Sequence, residues 1–165
     1  MMKLQNMKLF FWVILVQVFV LNNIQLHGYI NPYYYIIFII SLPARNSKIK
    51  TLLSSFFLGF IIDIFSNSYG LHSFSCVLLA YIKIIWVFKL DYNKDSTEVL
   101  EVKNLNIQDF IITSYSLILI HHLTLFSLDF FSFSDIIPIL VSTLFSSIFT
   151  LTLLIIHKIF SLKKI

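Results

Sequence analysis

The sequence is short of charge, cysteine, glycine and proline. Of its 165 residues only 12% are charged and 58% are hydrophobic, whereas soluble domains average about 25% charged and about 45–50% apolar. Such a chain cannot cover a globular surface with hydrated groups. The apolar content also runs along the whole length, which excludes a soluble domain carrying a single anchor. The one cysteine, Cys76, lies in an apolar stretch, so an internal disulfide and a thiolate metal site are excluded and packing is its expected role. With Gly28, Gly59 and Gly70 as the only glycines, no phosphate-cradling loop can be built. H-E-x-x-H, C-x-x-C and the G-x-S-x-G elbow are all missing. Intramembrane hydrolysis needs facing carboxylates or a serine with its base, and Asp63 is the one acid well inside an apolar run. No catalytic residue, cofactor or metal is therefore expected.

What is present is a succession of apolar runs. About 20 residues cross a hydrocarbon core of about 30 Å. On that measure the chain reads as an all-α integral membrane protein, one domain over 1–165, with six helices near 9–26, 29–43, 50–66, 72–88, 108–127 and 136–157. The first run, LFFWVILVQVFVL behind Lys3 and Lys8, imitates a signal peptide. The NNIQLHG that follows has no small-residue cleavage site, so the segment is read as a retained helix. The second is the shortest: Pro32 and Pro43 bracket YYYIIFIISL, a core suited to a tilted, thinned or re-entrant segment.

The net charge of +4 is scattered at the ends of the apolar runs, which points to topology and away from nucleic acid. With six crossings and a cytoplasmic N-terminus, the inner side holds Lys3 and Lys8; Arg45, Lys48 and Lys50; Lys83, Lys89, Lys94 and Lys103; and Lys158, Lys163 and Lys164. The outer loops, near 22–29, 66–71 and 128–135, hold no lysine or arginine. Removing the second crossing would move Arg45, Lys48 and Lys50 outside, against the positive-inside rule. Both termini are expected in the cytoplasm, and the polar stretch 89–109 reads as a solvated cytoplasmic connector.

His27, His72, His121 and His122 all fall in the outer half on this topology. Imidazoles at one depth suit a metal or a pH sensor. They come from separate stretches, however, and adjacent His121 and His122 project about 100° apart on a helix. Polar groups near the headgroups, bonded to backbone or water, are the expectation.

Asp63 lies near the outer end of its helix, where a carboxylate is cheaper than at the bilayer centre. Ser55, Gly59 and Asp63 are spaced i, i+4, i+8 and share one face, with Gly59 allowing close backbone approach. The SNSYG that follows suits a tight turn in which Gly70 takes a positive φ, giving a helical hairpin. Asp63 is expected to accept hydrogen bonds from this turn or from the start of the next helix, or to contact a partner or ligand.

These residues also carry a likeness. Leu42, Pro43 and Arg45, then Gly59 and Asp63, Ser66 and Ser68, Gly70, Leu71 and His72, and finally Ala80 and Tyr81 follow a Leu-Pro-basic step, a G-x-x-x-D helix, a Ser-rich turn, Gly-hydrophobic-His and a helix ending in Ala-Tyr. The pattern resembles the rod-shape-determining MreD family over about 40 residues. Asn67 and Tyr69 make the turn bulkier than the family's, and the N-terminal third carries no family motif. The resemblance implies an inner-membrane subunit of the bacterial cell-elongation machinery. It would work beside MreC, actin-like MreB, RodA and its transpeptidase partner in lateral peptidoglycan synthesis. It also implies a six-helix bundle similar to the substrate-binding subunits of energy-coupling-factor transporters, with Gly59, Asp63, Ser66, Ser68, Gly70 and His72 as the structural or partner-contact motif.

Two functions are thereby expected. A scaffold should present lipid-like faces with small-residue stripes for partners, such as Ser142, Ser146 and Thr150. A solute-binding transport subunit instead requires a cavity lined by convergent polar groups, with Asp63, Asn67, His72 and His121 as the candidates.

Overall fold

The computed structural model describes residues 4–24, 30–43, 47–92, 102, 105–130 and 136–162. His27, Arg45, Lys94 and Lys103 lie outside the described residues. All helices among those described are α1 (Leu4–Phe19), α2 (Ile36–Ser41), α3 (Lys48–Ser66), α4 (Leu71–Tyr92), α5 (Ile107–Phe130) and α6 (Ile136–Leu162), with a 3-10 turn at Leu21–Asn23 after α1. Four stretches are long and apolar enough to cross a membrane: Asn6–Asn23, Lys48–Ser66, Ile107–Phe130 and Ile136–Phe160. A shorter apolar helix covers Leu71–Trp86. The chain is thus an all-helical protein of multi-pass membrane type.

Helix packing follows the chain: α3 lies on α4, α4 on α5 and α5 on α6, while α1 leans on α3. Large apolar side chains are exposed on the outer faces, among them Phe11, Trp12 and Phe19 of α1, Phe57 and Ile64 of α3, and Leu144 and Ile148 of α6. In a bilayer these faces meet acyl chains instead of water. The α1 stretch is the least enclosed, 17% buried against 33% for the α3 stretch and 44% for the α5 stretch, so α1 is the edge of the bundle.

The second segment differs from the helix expected over 29–43. Only Ile36–Ser41 is α-helical, about 9 Å of rise, and residues 31–33 are non-helical. Among the described residues it is the longest run of consecutive buried positions, with Tyr35 to Ile40 all at most 2% exposed. Buried non-helical backbone at membrane depth must find partners in the protein, and here it does. Asn31 N–H donates to Ser146 Oγ and Tyr33 N–H to Thr150 Oγ1, both at 3.0 Å. The Pro32 carbonyl accepts from Gln17 Nε2 at 3.0 Å. Helix α2 ends because Leu42 precedes Pro43 and is pushed to extended geometry (φ −60°, ψ 133°). Its freed carbonyls are taken up by the buried Lys83, whose Nζ donates to Ile39 O at 2.8 Å and Leu42 O at 2.6 Å. The segment therefore runs alongside α4, from the level of His72 to that of Lys83, about 16 Å apart on that helix.

This arrangement corrects the expected role of the α6 stripe. Ser142, Ser146 and Thr150 are at most 1% exposed, facing the bundle interior instead of lipid or a partner. Serine and threonine on α6 are needed because the irregular second segment has donors that no helix of its own can satisfy.

Candidate functional site

The end of the bundle that carries the α3–α4 hairpin gathers many of the polar side chains. It is built first on α3, where Thr51, Ser55, Gly59 and Asp63 are all buried along one face at a spacing of four residues. That face meets the start of α4 at unusually short range. A Cβ on Gly59 would lie 2.5 Å from Ser73 Cα and 2.6 Å from His72 O, a separation only glycine permits. One turn further along α3, the Asp63 carboxylate reaches the same two residues. Its Oδ1 accepts His72 N–H at 2.9 Å and Ser68 Oγ–H at 2.6 Å; its Oδ2 accepts Ser73 N–H at 2.9 Å and Ser73 Oγ–H at 2.5 Å. The first donors of α4 are thereby all matched, since Leu71 N–H bonds Ser68 O and Phe74 N–H bonds Gly70 O.

The turn between the helices is tighter than Gly70 alone would suggest. Asn67 (φ 52°), Tyr69 (φ 50°) and Gly70 (φ 97°) all lie in the left-handed region. Asn67 closes α3 as its left-handed cap, a role asparagine tolerates. Tyr69 is fully exposed at the tip and carries strain that no sequence rule would place on a tyrosine. Ser66 reaches away from the hairpin and accepts from Asn22 Nδ2 at 3.0 Å, tying α3 to the end of α1.

Behind the hairpin the histidines are brought together more closely than the sequence suggested. His72, His121 and His122 are 6%, 1% and 0% exposed, so they are core residues and do not sit among headgroups. Tyr35 Oη bridges His72 Nδ1 at 2.7 Å and His121 Nε2 at 3.1 Å. The Tyr33 ring packs against all of these imidazoles, with centroids 5.1 to 6.1 Å away. His122 Nδ1 contacts Ile118 O at 2.9 Å and its Nε2 contacts Thr150 Oγ1 at 3.2 Å. A tyrosine hydroxyl between two imidazoles donates to one and accepts from the other, so the two tautomers are set together. Sequence reasoning missed Tyr33 and Tyr35 because nothing in YYYII marks which tyrosines face inward. Among the described residues no group of His, Cys, Asp or Glu is arranged to hold a metal.

Comparison with known proteins gives no match: no family profile, no curated protein and no solved structure is significantly similar to this chain.

A cavity of about 340 Å³ opens at the hairpin end of the bundle, between the end of α1, residues 31–33 and the α3–α4 hairpin. Gln17, Asn22, Asn31, Tyr33, Ser66 and His72 supply its polar and aromatic wall. Of the convergent groups expected from sequence only His72 belongs to it. Asp63 is consumed by the start of α4, Asn67 is exposed at the turn, and His121 is buried behind Tyr35. Gln17, which no motif singles out, is completely buried and is the best-enclosed polar group on the wall.

Proposed function

We propose that this chain is a non-enzymatic scaffold subunit of the bacterial inner membrane, similar to MreD, that supports lateral peptidoglycan synthesis by presenting helix faces to partner membrane proteins. On this reading it crosses the bilayer six times with both termini in the cytoplasm. The observation that carries the proposal is the hairpin of α3 and α4. The residues on which the likeness rests, Gly59, Asp63, Ser68, Gly70 and His72, form one interlocked unit instead of a scattered set of polar side chains. Six crossings are supported by the course of the second segment, which leads from the outer polar end toward Lys83 and on to the N-terminus of α3. The face offered to partners is that of α1, whose Phe11, Trp12, Leu15 and Phe19 stand exposed at the edge of the bundle. Affinity purification of the full chain from native membranes tests the reading. MreC, MreB, RodA or its transpeptidase partner should be recovered with it, and recovery should fall when Trp12 and Phe19 are replaced by alanine. Repeated recovery of none of them after mild cross-linking would overturn it.

A second reading, a solute-binding transport subunit of the energy-coupling-factor type, is favoured by the broken second segment. Irregular backbone inside a membrane bundle is the feature around which transporters build binding sites.

A further inference from the structure

We propose that the cavity at the hairpin end of the bundle binds a compact, uncharged solute through a carbonyl-type acceptor, which receives the ring hydrogen on His72 Nε2. This rests on the solute-binding reading and specifies the chemistry that the site would take.

The donor is fixed by a chain of three side chains. His121 Nδ1 is sealed in the interior with no hydrogen-bond partner, whereas its Nε2 lies 3.1 Å from Tyr35 Oη. In its neutral form an imidazole carries one ring hydrogen. On Nδ1 of His121 that hydrogen would be a buried donor left unmade; on Nε2 it is spent on Tyr35. Tyr35 Oη therefore accepts from His121, and its own hydrogen goes to His72 Nδ1. The distances agree, because hydroxyl donors make shorter bonds than N–H donors: 2.7 Å to His72 against 3.1 Å to His121. With Nδ1 accepting, the hydrogen of His72 sits on Nε2.

That N–H is free to meet a ligand. Nε2 has no partner among the described residues and, unlike His121 Nδ1, it is not sealed from the surface. His72 is only 6% exposed and lines the cavity, so the cavity is where Nε2 opens. A donor enclosed in this way is matched by an acceptor on whatever fills the space beside it.

The rest of the wall sets the other properties of the solute. Among the described residues, the lining carries no Asp, Glu, Lys or Arg, so an ion would lose hydration and meet no counter-charge. An anion is opposed further by Asp63, whose Oδ1 already accepts the backbone N–H of His72 at 2.9 Å. The volume, about 340 Å³, lies at the lower end of the range for ligand pockets, which limits the solute to a compact one. Tyr33 and Phe65 offer ring surfaces, which suits a flat, unsaturated body.

The test uses the full chain in detergent micelles and three flat compounds of similar size: 1-methyl-2-pyridone, toluene and benzoate. The first is neutral with a carbonyl acceptor, the second neutral without one and the third an anionic acceptor. The pyridone should raise the melting temperature saturably, with an apparent affinity at least ~10-fold tighter than for the other two. Nitrogen-15 spectra of the histidine rings, assigned by replacing the histidines one at a time, read the site directly. Before ligand is added, His72 and His121 should carry their hydrogen on Nε2, and the pyridone should then shift the His72 Nε2–H signal. Two variants fix the location without touching a hydrogen bond of the hairpin. Val18→Trp fills the cavity from a half-buried position on α1 and should abolish the response; Phe65→Ala removes an exposed ring from the wall and should weaken it. A hydrogen found on His72 Nδ1 in the free chain would overturn the assigned donor. Equal responses to all three compounds, each lost in Val18→Trp, would overturn the acceptor class and leave a solute site standing. A pyridone response unchanged in both variants would overturn this location. No response to any compound at millimolar concentration would remove both the site and the solute-binding reading.

Discussion

Ser73 gives Asp63 both its backbone N–H and its hydroxyl, at 2.9 and 2.5 Å. A helix start normally finds such acceptors on its own N-cap side chain, but the residue before α4 is Gly70, which has none. The acceptor is therefore supplied from the preceding helix, and it can reach only because Gly59, one turn earlier, lets the two backbones close. Asp63→Ala should lose about 1.5–3 kcal/mol or more, the range for hydrogen bonds to a charged group. Gly59→Ala should lose about 1–3 kcal/mol through forced separation. Because the second change already pulls the donors away from Asp63, the double variant should be less damaging than the two singles added together. Chemical or thermal unfolding of the singles and the double in detergent gives the coupling; strict additivity would contradict the arrangement.

Gly70 should behave differently from Gly59. Nothing lies within 4 Å of where its Cβ would be, so its requirement is for φ 97° and not for space. Gly70→Ala should cost about 1–2 kcal/mol by backbone strain, with no loss of α3–α4 contact. Combined with Asp63→Ala it should be close to additive. The same unfolding series measures both pairs, and a coupling at Gly70 as large as that at Gly59 would mean the turn and the seam are one feature.

Much of this hairpin was legible in the sequence because its determinants are local: a period of four small or polar residues on α3, a Ser-Asn-Ser turn, and a glycine where the chain reverses. The end of α2 was legible for the same reason, at Pro43. Its beginning was not. Residues 31–33 stay non-helical because Ser146 and Thr150, more than a hundred positions away in sequence, accept their N–H groups, and no pattern within YYYII reports that. The stripe on α6 was misassigned for the converse reason. Small hydroxyl residues at helical spacing look the same whether they face a partner subunit or a broken segment of their own chain.

Thr150 provides a direct check on this account of the second segment. Its Oγ1 accepts from Tyr33 N–H and touches His122 Nε2, and both would be stranded in the isosteric Thr150→Val. A loss of about 1–3 kcal/mol is expected for a buried donor left unmade. Thr150→Ser should restore most of it. Thr152, two residues on, is exposed and spends its hydroxyl on Ile148 O, so Thr152→Val should be nearly neutral. Melting of the three variants side by side separates a lost acceptor from a general intolerance of valine on α6.

The topology can be tested at the two ends of α3. Its 19 residues rise about 28 Å, close to the thickness of a hydrocarbon core, so Ser47 and Tyr69 should lie on opposite faces of the membrane. Both are exposed, and the only native thiol, Cys76, is completely buried, which keeps background labelling low. In intact cells a membrane-impermeant maleimide should label Tyr69→Cys and leave Ser47→Cys untouched until the membrane is opened. The positive-inside rule demands this order, because Lys48 and Lys50 flank Ser47 while no cation is present in the turn around Tyr69. Labelling of Ser47→Cys without permeabilisation would place those lysines outside. It would remove the second crossing and, with it, the six-span architecture on which the scaffold reading is built.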